Sequence, residues 1–505
     1  MNDLHDFINC RHSLLIAPAG FGKTYTIASC LNLIIGKHLV LTHTNAGIAS
    51  IFEKIKALKV PSSAYQIETI SSFAQNIALS FTDNSLFPPQ ESGKQYYKAI
   101  IERATVLIKL KPIRKMLGNS FSGLFVDEYQ DCTLSQHRLI QQLAEIFPTH
   151  LLGDPLQGIF NLDAEDPLVN LNDTELMNDF LKHKYKLETP WRWNNQNNKE
   201  LADDLKRIRK ELETNETPIR DFSPYKNIVC YQIDRSELFY DNKVKINPEF
   251  RKKINDLLYS EENVLFIHSN SANRKSRIEY VKAFSGKMYL IESIDDENFY
   301  QLAKTVDLFS KNDRGSLHNI YHLLIELFPK TEIEKWLQEN RLTRKGKGEN
   351  EGKSKNLREL FDFYKEKQEL IFLAQILETI RILIGKHSNC RDLYFSLLHA
   401  IKRSHENSTS VYDEMVNQRN IARRVGRKLF GKSIGTTLLT KGLECDTVVL
   451  LEEKPFEYKN QYVALTRGSK KVFVFQIKKN DKIKSKKKVN KNATANGIIQ
   501  LSMWD

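Results

Sequence analysis

The segment Ala17–Thr24, APAGFGKT, has the residue types that hold a polyphosphate. Gly20 and Gly22 let a backbone curl so that successive N–H groups face an anion, and a helix opening there adds the positive end of its dipole. Ala17, Pro18, Ala19, Gly20, Phe21 and Gly22 would line the phosphates, Lys23 would reach the β- and γ-phosphates, and the Thr24 hydroxyl would ligate Mg²⁺. The strict pattern GxxxxGK[ST] has a glycine where Ala17 stands. Further along, Leu124-Phe125-Val126-Asp127-Glu128 is an apolar run ending in two adjacent acids. Asp127, at a strand end, is placed to hold Mg²⁺, and Glu128 to polarise an attacking water as general base. Together the two segments imply hydrolysis of ATP or GTP.

Such groups need a scaffold that brings strand ends to one edge. The first third alternates short apolar runs with helical patterns, as a parallel α/β sheet does. Strands are expected at Ser13–Ala17, His38–Thr42, Leu124–Val126 and His150–Leu152, and helices at Lys23–Ile35 and Ala46–Leu58. A second sheet is expected from the runs at 227–233 and 263–269, resuming at Thr436–Leu439, Thr447–Leu451 and Lys471–Gln476. The simplest division is two α/β domains, each with a helical insertion. The first covers 1–74 and 118–220, with an insertion at 75–117. The second covers 221–292 and 428–480, with an insertion at 293–427. Arg341–Asn356 is expected to be a polar, mobile loop, and 481–505 a basic tail.

At 505 residues the chain is too long for one compact core. The apolar fraction, 41%, fits a water-soluble protein, and no run approaches the roughly 20 apolar residues that span a bilayer. No signal peptide is recognisable at the N-terminus. The six cysteines (Cys10, Cys30, Cys132, Cys230, Cys390 and Cys445) form no CxxC or metal-like spacing, so reduced thiols and a cytoplasmic location are expected. The net charge of +13 points to a polyanionic partner. Part of that excess is local, because residues 477–492 hold eight lysines against one aspartate.

Eight segments resemble, in order, those of the UvrD/Rep/PcrA-like helicases of superfamily 1. Beyond the phosphate loop they are THTNA (Thr42–Ala46), TISSFA (Thr69–Ala74), DEYQD (Asp127–Asp131), GDPLQGIF (Gly153–Phe160), PWRW (Pro190–Trp193), IHSNSANR (Ile267–Arg274), TKGLE (Thr440–Glu444) and YVALTR (Tyr462–Arg467). The resemblance covers both α/β domains and is weak or absent in the insertions. It implies two RecA-like P-loop NTPase motor domains and an ATP-dependent 3′-to-5′ helicase or translocase. It implies that Gln157 senses the γ-phosphate, that Arg192 and Arg467 close on it from the second domain, that Trp191 stacks on adenine, and that Glu444 lies near the ribose or the catalytic arginine. DNA contacts are implied for Thr44, Asn45 and Thr440, with Phe73, Phe160 and His43 as candidate stacking platforms.

The sequence also departs from that family. No glutamine precedes Lys23, so the usual adenine-reading residue is missing and GTP stays open. Leu162 and Asp163 stand where the family has an aromatic and an arginine. The expected partners are single-stranded or partly duplex DNA and a separate nuclease or other protein, with no membrane. Accessory repair helicases and the helicase subunit of the Gabija anti-phage system share this compact plan. The alternative is a DNA-sensing ATPase that regulates a nuclease without processive unwinding. A scaffold with a dead ATP site is opposed by intact Lys23, Asp127, Glu128 and Arg467.

Overall fold

In the computed structural model the apolar runs form two parallel sheets of six strands each, flanked by helices, the α/β architecture of two RecA-like domains. The structure describes residues 4–88, 94–160, 165–233, 248–269, 274–284, 287–291, 297–312, 317–343, 349–385, 388, 391–425 and 431–477. Cys390, Leu162, Asp163, Asn270–Asn273 of the IHSNSANR segment and the basic tail lie outside them.

The first sheet comprises β1 (His12–Ile16), β2 (His38–Thr42), β3 (Tyr65–Thr69), β4 (Gly123–Val126), β5 (Thr149–Gly153) and β6 (Lys184–Lys186), in the order β3-β2-β4-β5-β1-β6. Alternate side chains leave opposite faces of a strand, and here both faces are covered. Leu14, Leu39, Leu124 and Leu151 enter one core with Ile77, Ile100 and Leu107, while Leu15, Val40, Phe125 and Leu152 enter another with Ile27, Leu31 and Ile51. Double burial is why these strands are continuous apolar runs. Segment 75–117 holds the helix Lys94–Ile108 and most of the helix Lys111–Ser120, whose buried residues share the first of these cores. The parallel strands deliver Ala17, Asp127 and Asp154 to one carboxyl edge, where ligands of open α/β sheets bind.

The second sheet begins with β7 (Ile228–Ile233), β8 (Val264–His268) and β9 (Tyr289–Leu290). Helices then predominate, interrupted by an antiparallel hairpin of β10 (Leu337–Gln338) and β11 (Arg341–Leu342). The sheet is completed by β12 (Lys432–Gly435), β13 (Cys445–Glu452) and β14 (Gly468–Ile477), giving the order β7-β14-β13-β8-β12-β9. The helices between β9 and β12 close their own core around Leu324, Leu373, Leu377, Tyr394 and Leu397. A further cluster joins the two domains: Ala19, Phe21 and Trp193 pack with Leu265, Val448 and Tyr462.

Two local expectations are corrected. Thr436–Leu439 is not a strand: Thr436 caps a helical turn, Thr437–Thr440, its side chain accepting from Leu439 N–H, and the strand lies just before it as β12. Arg341–Asn356 is not one polar loop, because Arg341–Leu342 is β11 and Glu349 opens the helix Glu349–Lys367. In that helix Asn350–Lys353 are exposed, while Ser354, Leu357, Phe361 and Tyr364 are buried at helical spacing. Among the described residues no helix is long and apolar enough to cross a membrane. Cys10, Cys30, Cys132, Cys230 and Cys445 are free thiols.

Candidate nucleotide site between the two domains

The phosphate loop leaves β1 and opens the helix Lys23–Leu33 with Gly22 as its N-cap. Gly20 and Gly22 have φ of 77° and 90°, the left-handed region that side chains resist. A Cβ on Gly20 would lie 2.9 Å from Arg192 Cβ, and one on Gly22 would lie 3.1 Å from Trp191 Cδ1. Ala17 is not among the residues with positive φ, so alanine in the first-glycine position carries no backbone strain. Its N–H donates to the Gly153 carbonyl at 2.9 Å, tying the loop to β5. Ala17, Pro18, Ala19 and Phe21 are buried, and Thr24 is half-buried on the first helical turn.

Lys23 sits between the two acids at the end of β4, with Nζ 3.1 Å from Asp127 Oδ1 and 2.6 Å from Glu128 Oε1. Burial opposes its charge, but the two carboxylates outweigh burial and raise its ammonium above the usual lysine range. Burial raises the Asp127 carboxyl despite Lys23, whereas Lys23 and Lys441 overcome burial at Glu128 and lower it. Glu128 is itself left-handed, with φ 54° and ψ 38°, a conformation that costs a non-glycine residue on the order of 1 kcal/mol. Strain of that kind collects where a side chain must be aimed. Its N–H donates to Asp127 Oδ1 at 2.9 Å, and Gln130 Nε2 donates to its carboxylate. A hydroxyl and a buried carboxylate are hard oxygen donors, so Thr24 and Asp127 suit Mg²⁺.

From the second domain, Arg467 is 2% exposed and reaches Gln157 Oε1 with Nη2 at 3.2 Å, while its Nε donates to the Val463 carbonyl at 2.9 Å. Burial and the neighbouring Arg192 push its guanidinium down to about 10. A pair of guanidiniums so placed favours added negative charge. Arg192 requires a correction: it lies on the short helix Trp191–Asn194 that follows the first sheet, not in the second domain. It reaches across, donating to Glu444 and to the Thr466 carbonyl. Trp191, 53% exposed, lies over Gly22.

Sequence reasoning gave no role to Asp131, Lys441, Asp154, Arg209 or Tyr462, which form two buried bridges. Lys441 Nζ donates to Asp131 Oδ1 at 2.6 Å and to the Gln157 carbonyl, and it lies 4.6 Å above the Phe160 ring. Arg209 holds Asp154 with two hydrogen bonds of 2.9 and 2.7 Å and donates to the Tyr462 hydroxyl at 2.7 Å, which also accepts from Ala19 N–H at 3.3 Å. The third acid of DEYQD and the lysine of TKGLE were available signals; Arg209, inside a charged helix, offers none. Removing the hydroxyl in Tyr462→Phe leaves buried donors short of an acceptor, a cost of about 1–3 kcal/mol. A lower Tm and a several-fold higher nucleotide KM are expected, measured by thermal melts and steady-state kinetics.

Asp131 gives a pH dependence. Burial raises its carboxyl to about 7 although Lys441 pulls the other way. A carboxyl raised on folding contributes stability that is complete below its unfolded value and is lost as pH rises through the folded one. The wild-type Tm therefore carries a component that declines from about pH 4 to pH 7. Asp131→Asn removes that component, so its Tm profile should be flatter over the same range.

The proposed nucleic-acid residues divide. Thr44 is exposed and caps the helix Asn45–Ala57, accepting from Gly47 N–H at 3.0 Å, with Asn45 half-buried beside it. Phe160 is half-buried. Phe73 is corrected to a core residue: it is 4% exposed and packs with Ile70 and Ile77. Thr440 is also corrected, being fully buried with its hydroxyl donating to the Thr436 carbonyl at 2.8 Å. His43 Nε2 lies 3.3 Å from Cys132 Sγ, and burial and Lys441 lower its imidazole to about 4, so it is neutral at physiological pH.

Residues 4–162 match the family model described as an AAA domain. The first third of the chain is thus similar to an AAA domain, consistent with the phosphate loop it contains. The matched span runs from the helix before β1 to beyond β5, and so contains Lys23, Thr24, Asp127, Glu128 and Gln157. It makes this a nucleotide-binding domain of the ATPase class. No curated protein matches the chain.

Proposed function

We propose that the protein is an ATP-driven motor of the UvrD-like superfamily 1 type that moves 3′-to-5′ along single-stranded DNA. Its proposed setting is DNA repair or anti-phage defence, beside a separate nuclease or other protein partner. The observation that carries the reading is the composite site: Lys23, Asp127 and Glu128 of one domain lie within one electrostatic cluster with Arg467 of the other. Hydrolysis at such a site depends on how the domains meet, which is the requirement for converting it into movement.

The polyphosphate competes with Asp127 and Glu128 for the Lys23 ammonium, and Glu128, once released, accepts a proton from the water that attacks the γ-phosphorus. The bond from the γ-phosphorus to its bridging oxygen breaks, and Arg467 and Arg192 offset the charge that develops on the departing groups. Thr24 and Asp127 would hold Mg²⁺, which when bound would supply further charge neutralisation. Gln157, Lys441 and Phe160 link this chemistry to the face bearing Thr44 and Asn45, where the DNA backbone would lie. The positive charge of the chain supports a polyanionic track.

Displacement of streptavidin from biotinylated oligonucleotides tests the direction. Faster ATP-dependent release from a 5′-biotin than from a 3′-biotin is expected, and the opposite preference overturns the polarity. Trp191→Ala should raise the nucleotide KM about 5- to 150-fold, as for the loss of roughly 1–3 kcal/mol of base stacking. Comparing ATP with GTP in that variant also tests which base is read.

A further inference from the structure

Outside the nucleotide site, the helical segment between β9 and β12 brings together three ligating side chains. His318 and His322 are one turn apart on the helix Leu317–Leu327, so both rings leave the same face. Their ring centroids are 4.4 Å apart. Glu339 is the first residue of the two-residue turn between β10 and β11, and its Oε1 lies 3.0 Å from His318 Nδ1 and 3.4 Å from His322 Nε2. The elements beneath are fixed: Ile320, Tyr321, Leu324 and Leu337 share one buried core, and the Tyr321 hydroxyl donates to Glu334 Oε1 at 3.0 Å. The ligands are therefore carried by packed elements rather than by a free loop.

We propose that His318, His322 and Glu339 form a binding site for a divalent transition-metal ion of the zinc class, which clips the β10–β11 turn to the helix. Their ligand atoms all lie within 4.8 Å of one another. Tetrahedral bonds of about 2.0–2.1 Å place neighbouring ligands roughly 3.3–3.4 Å apart, close to the 3.0 and 3.4 Å between Glu339 Oε1 and the two imidazoles. Two imidazoles and one carboxylate favour zinc, cobalt, nickel or copper over magnesium and calcium, which take all-oxygen sets. This site and the Thr24–Asp127 site thus select different ions. The three side chains are 51–52% exposed, which leaves the fourth coordination position to water.

The test is calorimetric titration of zinc chloride into the chelator-treated full chain, without a histidine tag and in excess Mg²⁺. One saturable zinc per chain and a higher Tm with zinc are expected. Replacing a ligand should cost at least as much as losing an outer-shell partner, about 10- to 100-fold in affinity. His322→Ala and Glu339→Ala should each show that loss while keeping the circular dichroism and basal ATPase rate of the parent. Cobalt should give the intense visible absorption of a four-coordinate ion, absent in both variants. No saturable zinc binding, or binding equal in parent and variants, overturns the site and leaves Glu339 as a hydrogen-bond acceptor for the two imidazoles.

Discussion

Arg467→Ala should lower kcat for ATP hydrolysis by about 10³- to 10⁵-fold, the range over which an arginine finger acts. The wild-type guanidinium is already held by the Val463 and Leu443 carbonyls and Gln157 Oε1, so little ordering is needed when phosphate charge develops. Because the proposed role is confined to the transition state, nucleotide affinity should change far less than kcat. The truncation also leaves buried acceptors short of a donor, so the melting temperature must be measured alongside. A folded variant with near-normal kcat would contradict the composite site. A parallel collapse of nucleotide affinity would instead assign Arg467 to ground-state binding.

Glu128→Gln should lower kcat by about 10²- to 10⁴-fold, as for loss of a general base. The substitution keeps the side-chain volume and leaves Asp127 as a partner for Lys23. Binding of a fluorescent ATP analogue should therefore persist, and it should strengthen if Lys23 is freer to meet the phosphates. Glu128 differs from Asp127 in this respect. Asp127 is 2% exposed at the end of β4, so Asp127→Asn should chiefly raise the Mg²⁺ concentration needed for half-maximal rate. Single-turnover kinetics with varied Mg²⁺ separates the two carboxylates. Equal behaviour of the two variants would mean that the division of labour between them is wrong.

The sequence made the nucleotide-facing half of the site legible because chemistry there constrains neighbours in the chain. A glycine loop must adjoin a strand and a helix, and a metal-holding acid must end a strand, so Lys23, Asp127 and Glu128 could be placed from local pattern. The central strands were visible for the same local reason, since burial on both faces makes them apolar throughout. Edge strand β6 was not, because Lys184–Lys186 is mostly polar and takes its conformation from pairing with β1. Cross-domain partners were also hidden. Arg209 meets Tyr462 across 253 positions of sequence, and no spacing rule connects them. Phe73, a candidate substitute for the missing stacking aromatic, shows the converse case. A motif position suggested a nucleic-acid contact, while the apolar spacing Ile70, Phe73, Ala74 and Ile77 around it was that of a buried helix face.

The central claim is that the two domains form a motor that responds to DNA. Its most direct test is the ATPase rate with and without single-stranded DNA, with Lys23→Ala as the blank and salt held constant. The account predicts a rate near the blank without DNA and strong stimulation by DNA, weakening as salt rises. A rate well above the blank that DNA leaves unchanged would contradict it and leave a nucleotide hydrolase coupled to something else.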